Sequence, residues 1–202
     1  MFKAIIFRQN HWHILKTEGL AIYFLPLIGA ALLLLPESLQ ITLYLYTSVS
    51  HPLFHMSQMI SGHLSHLSWE HWLGNFIGLM VFQQFYGHCI AGYRWVLPTI
   101  ILMLWTSVIL IGASMQLVWY AGISSVIIGL TGHCAILDKQ NRRPLNFIIL
   151  LLLTTYTLFQ IMKGEITQGT GNTPVASFSH LAALAGGVFM GIVARTKGNY
   201  KI

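Results

Sequence analysis

One hydroxyl, two imidazoles and a carboxamide in this chain have the types that acyl transfer requires. Ser124 could act as nucleophile, His180 as general base, and His71 with Asn75 as donors to a developing oxyanion. His71 and Asn75 stand four residues apart, a spacing that puts both on one face of a helix. Gly122-Ile123-Ser124-Ser125 reads as a tight entry into a helix whose first turn holds Ser124, where the helix dipole favours negative charge. Ser125 adds a second hydroxyl about 100° around that helix. Each residue has a plainer reading: a serine at a helix start is commonly an N-cap, and an interfacial histidine commonly satisfies helix-end groups. Only the fold can bring such distant residues together.

The elements that must do so are apolar helices. The chain has 202 residues, of which 55% are apolar and only 8% charged, with a mean hydropathy of +0.66. A soluble domain carries about 25% charged residues, so this composition calls for lipid as solvent. Apolar runs predict six membrane-spanning helices over 18–35, 68–87, 94–112, 122–138, 145–162 and 177–195. The alternating segments of a closed barrel are absent. The expected fold is all-α, a polytopic six-helix bundle forming one domain over 1–202, with an extracytoplasmic amphipathic loop over 36–67 lying in the headgroup region. The basic N-terminal segment and first apolar run lack a small-x-small cleavage site, and read as an uncleaved first helix.

Basic residues set the expected orientation. Lys3, Arg8, Lys16, Arg94, Lys139, Arg142, Arg143, Arg195, Lys197 and Lys201 fall on one side of a six-span scheme, leaving Lys163 alone on the other. The positive-inside rule makes that side, with both termini, cytoplasmic. The net charge of +6 is thereby a matter of topology and anionic headgroups, and nucleic acid is not an expected partner. Cys89 and Cys134 map to the reducing side, so no disulfide is expected. His71, Asn75, Ser124 and His180 all map to the other side, at one depth.

Small residues suggest how two of these helices meet. Ala183, Gly187 and Gly191 repeat every four residues after His180, and Ser124, Ile128 and Gly132 form a comparable stripe. Facing each other, the stripes would allow close approach and bring Ser124 beside His180.

Taken in order, His66-x4-His71-x3-Asn75, Gly122-x-Ser124 and His180-x6-Gly187 resemble the rhomboid intramembrane serine proteases across essentially all six helices. Within that family the string Gly-His-Leu-x-His-Leu-x-Trp-x-His at 62–71 is most similar to the rhombosortase branch. The resemblance implies a six-helix rhomboid-like bundle and a Ser124–His180 dyad with no acidic third member and no cofactor. It also implies an oxyanion site from His71, Asn75 and the Ser124 N–H, with structural support from His66, Gly122 and Gly187. It implies an endopeptidase in the bacterial inner membrane with its site on the periplasmic side, and membrane lipids as surroundings. The implied partners are transmembrane substrates with a C-terminal Gly-Gly motif, a hydrophobic helix and a basic end. A general rhomboid with other substrates is the alternative. Two positions depart from the family pattern: Ser125 stands where a glycine usually follows the nucleophile, and Ala183 where a glycine is often found after the base.

Two metal-based readings compete. His66, Glu70 and His71 could hold zinc, but their spacing matches neither His-Glu-x2-His nor its inverted form. A haem between His71 and His180 would need further histidines at that depth, and His133 falls at the opposite end of its helix.

Overall fold

The computed structural model describes residues 21–51, 53–90, 92–113, 119–138, 143–162, 167–169, 173–175 and 177–197. In chain order these form α1 (Phe24–Leu33), α2 (Glu37–Leu43), β1 (Leu45–Tyr46), α3 (Gln58–Leu64), α4 (Trp69–Tyr86), α5 (Val96–Gly112), β2 (Trp119–Tyr120), α6 (Ser124–Leu137), α7 (Arg143–Met162), β3 (Thr167–Gly169), β4 (Thr173–Val175) and α8 (Ser177–Thr196). A 3-10 turn, Gly87–Ile90, follows α4.

Helices α1, α4, α5, α6, α7 and α8 coincide with the six apolar runs. Among the described residues, only Arg143–Met162 and Phe178–Thr196 are long and apolar enough by themselves to cross a membrane; α5, α6 and the Ala21–Leu33 segment are shorter. The expected first span is trimmed at both ends, and residues 18–20 lie outside those described. So do Lys3, Arg8, Lys16, Lys139, Arg142, Lys163 and Lys201, on which most of the charge asymmetry rests. Helix α7 exposes Phe147, Leu151, Leu152, Phe159 and Met162, while only Asn146, Thr157 and Gln160 are buried on it. A helix whose apolar side chains face outward and whose polar ones face inward is built for lipid.

Helix α6 is the hub. It buries ten of its 14 residues, and α8 lies along it in the same direction. An added Cβ would come 2.8 Å from the Ala183 carbonyl at Gly129, 3.1 Å from the Leu184 carbonyl at Gly132, and 2.9 Å from the His133 carbonyl at Gly191. At Gly187 it would overlap the Gly129 carbonyl outright. The expected row meets α8 at Ser124, through His180, and at Gly132, against Leu184; the closest approach falls at Gly129, which the expectation did not include.

The expected amphipathic loop is more ordered than its sequence suggested. Segment 36–67 contains α2, β1 and α3, and β1 pairs antiparallel with β2, Leu45 opposite Tyr120 and Tyr46 opposite Trp119. Side chains replace regular ladders as its internal frame. Gln58 Nε2 donates to the Thr42 and Leu53 carbonyls at 2.9 and 2.6 Å, and Ser61 Oγ to that of Leu43 at 2.8 Å. Trp119 and Tyr120 are drawn into this frame, and Tyr120 is buried.

Glycines sort into contact and open positions, which gives a paired test. Gly187→Ala forces a methyl into the Gly129 backbone and should lower stability by about 1–3 kcal/mol. Gly74→Ala, on a helix with nothing within 4 Å of its added Cβ, should raise it by about 0.5–1 kcal/mol. Thermal melting of the detergent-purified protein checks both; equal midpoints for the two variants would contradict the α6–α8 contact.

Candidate active site

Ser124 Oγ lies 2.8 Å from His180 Nε2, within hydrogen-bond reach. Ser124 is the first residue of α6 and His180 sits in the first turn of α8. The parallel α6–α8 contact therefore delivers both to the same end. Ser124 is half-buried and His180 buried. With the serine hydroxyl donating, Nε2 is the acceptor and Nδ1 carries the proton. His180 Nδ1 has no hydrogen-bond partner among the described residues.

The turn into α6 shapes the rest. Gly122 has φ +127°, a conformation open to glycine. Its N–H donates to the Gly62 carbonyl at 3.0 Å, pinning the turn to α3. No side chain caps α6, so its first N–H groups face the site. A Cβ on Gly122 would stand 2.7 Å from His71 Cε1, 2.8 Å from His71 Nε2 and 3.6 Å from Asn75 Nδ2. The two α4 side chains thus converge on the turn that presents Ser124. Asn75 is buried, and its Nδ2 donor has no partner among the described residues; such an orphan costs about 1–3 kcal/mol.

The two serines are told apart by their surroundings. Ser125 is fully buried and shares a 2.8 Å hydrogen bond with Tyr120 Oη, which also donates to the Gly122 carbonyl at 2.7 Å. Its hydroxyl braces the turn, while the hydroxyl hydrogen-bonded to His180 is that of Ser124. Tyr120 was not among the sequence-derived candidates; its position two residues before Gly122 is the only cue the sequence offers. Among the described residues, His66, Glu70 and His71 do not converge as a group of metal ligands.

The Rhomboid domain family model matches residues 53–197. The chain belongs to the rhomboid family. No curated protein matches it. Rhomboids are intramembrane serine proteases, which makes this chain an integral membrane protein of proteolytic type acting on transmembrane protein substrates.

In this rhomboid the loop before α4 holds the site from outside. His66 is buried against Gly29 of α1, where an added Cβ would meet its ring at 2.8 Å. It also stands edge-on to His71, with ring centroids 5.4 Å apart. Trp72 Nε1 donates to the Pro26 carbonyl at 2.8 Å, tying α4 to α1. His63, to which the sequence assigned no role, is fully buried under the turn. Its Nε2 meets the Met103 carbonyl at 3.0 Å and Ser107 Oγ at 3.1 Å, and its ring packs edge-on against Tyr120 at 5.1 Å.

Burial pushes His63 down to about 4, against the smaller opposing pull of the Met103 and Gly122 backbone. Burial, then the neighbouring His71, pushes His66 down to about 3. Both are neutral in the fold and titrate near 6.5 when unfolded. The unfolded chain therefore binds more protons below that value, and stability should fall as pH drops from about 6.5 toward about 4. His63→Gln, which keeps a donor for Met103 without titrating, should show a shallower fall in melting midpoint across that window. Identical slopes would remove His63 from the account.

Proposed function

We propose that this rhomboid is an endopeptidase that cuts membrane-anchored proteins through a Ser124–His180 dyad. The 2.8 Å contact between Ser124 Oγ and His180 Nε2 carries the reading. Ser124 Oγ attacks the scissile carbonyl carbon as its proton passes to Nε2. The oxyanion takes hydrogen bonds from Asn75 Nδ2, the His71 ring and the Ser124 N–H. Collapse of the tetrahedral adduct breaks the C–N bond, and the His180 imidazolium returns its proton to the departing amine. Water, deprotonated by His180, then releases the acyl group and restores Ser124. The reaction needs no metal or cofactor.

The chain reads as one domain of six spans with cytoplasmic termini. Helix α6 has 14 residues, about 21 Å at 1.5 Å per residue, short of a ~30 Å hydrocarbon core. Beginning α6 inside the bilayer places Ser124 below the extracytoplasmic surface, where the loop framework covers it. Arg94, Arg143, Arg195 and Lys197, among the described residues, flank the opposite helix ends, which favours that end as cytoplasmic. The string at 62–71 favours the rhombosortase branch, hence exported substrates in a bacterial inner membrane whose C-terminal tail carries Gly-Gly, a hydrophobic helix and basic residues.

Cleavage of such a tailed substrate, co-reconstituted in liposomes, tests the proposal. Ser124→Ala and His180→Ala should be inactive and Ser125→Ala should retain turnover. Asn75→Ala or His71→Ala should lower kcat by about 10²–10³ with little change in KM. Activity in Ser124→Ala with loss in Ser125→Ala would refute the dyad. Cleavage of untailed membrane proteins at equal rates would leave a general rhomboid in place of the rhombosortase reading.

A further inference from the structure

The end of the bundle away from Ser124 gathers a second set of reactive side chains that proteolysis does not use. His88 and Cys89 lie in the 3-10 turn after α4, and Asp138 follows the last residue of α6, one turn beyond Cys134. His88 Nε2 is 3.1 Å from Asp138 Oδ1 and 3.2 Å from Cys89 Sγ. All three ligand atoms lie within 4.8 Å of one another. Cys89 Sγ also lies 4.0 Å from the Cys134 carbonyl, and both cysteines are free thiols. We infer that His88, Cys89 and Asp138 form a three-ligand site for a tetrahedral transition-metal cation, best suited to Zn²⁺, with water in the fourth position.

The donor set is one imidazole, one thiol and one carboxylate. Zinc accepts that mixture, whereas Mg²⁺ and Ca²⁺ require six or more oxygens. Ligands bonded to zinc at about 2.0–2.3 Å stand about 3.3–3.8 Å apart, so the present contacts need to open by only a few tenths of an ångström. The Asp138 side chain is fully buried while that of His88 is 27% exposed. The exposed imidazole edge gives an ion its entry. Asn146 Nδ2 donates to Asp138 Oδ2 at 3.0 Å, and Tyr86 Oη donates to Asn146 Oδ1 at 3.0 Å. That chain fixes the carboxylate and leaves Oδ1 turned toward His88 and Cys89, the outer-shell support that metal ligands commonly have. The ion would clip the α4 turn to the α6–α7 corner. It would be structural and take no part in chemistry at Ser124.

The test uses the full chain in detergent, purified reduced through a tag without histidines, and titrated with Co²⁺. One Co²⁺ per chain should bind with thiolate-to-metal charge-transfer absorption, and Zn²⁺ should abolish the band by displacement. Cys89→Ser should lose the band, and Asn146→Ala should weaken Co²⁺ binding by about 10–100-fold. Should Cys89→Ser melt abnormally, the near-isosteric Asp138→Asn replaces it and should weaken binding as strongly. No charge-transfer band, a band unchanged in Cys89→Ser, or Co²⁺ affinity unchanged in Asp138→Asn would each leave only a protonated His88–Asp138 pair and overturn the site.

Discussion

The backbone of α6 and the backbone of α8 touch, and most of the site follows from that contact. Gly187 over Gly129, with Gly132 and Gly191 continuing the seam, removes the side-chain layer that ordinarily keeps helices 8–10 Å apart. In lipid no hydrophobic force drives helices together, so close packing must do so. The seam fixes the axial register of two parallel helices, and the register decides whether Ser124 and His180 meet. A shift of one residue along either helix, about 1.5 Å, would break a 2.8 Å hydrogen bond.

A second constraint acts on the turn rather than the helices. Ser124 is presented by a glycine at φ +127°, held by Gly62 through its N–H and by Tyr120 through its carbonyl. His63 lies beneath and Ser125 is locked to Tyr120. The loop segment therefore braces the turn that carries Ser124. The proposed oxyanion site would draw on such bracing, since donors that must reorganise contribute little, and on the Asn75 donor, which has no partner among the described residues.

Helix positions were legible in the sequence because apolar runs in a chain with 8% charge have few other readings. The pairing of His71 with Asn75 followed from helical spacing alone. Juxtaposition of Ser124 with His180 followed from small residues on the two helices, although Gly129, where the backbones come closest, was not part of the expected row. A four-residue spacing from Ser124 marks one face, and the point of closest approach depends on the crossing of the axes. The loop framework was not legible, since Gln58, Ser61 and His63 act by single side-chain hydrogen bonds that leave no periodic trace. Nor was the choice between Ser124 and Ser125, which rests on which hydroxyl meets the His180 ring.

The central claim is that His180 activates Ser124 and no other hydroxyl. A fluorophosphonate applied to the purified protein, followed by peptide mass spectrometry, reads this directly without any assumption about substrate. The account requires a single phosphonylated residue, Ser124, with labelling lost in His180→Ala and unaffected by Ser125→Ala. An adduct on Ser125, or labelling of Ser124 that persists at full rate in His180→Ala, would contradict it.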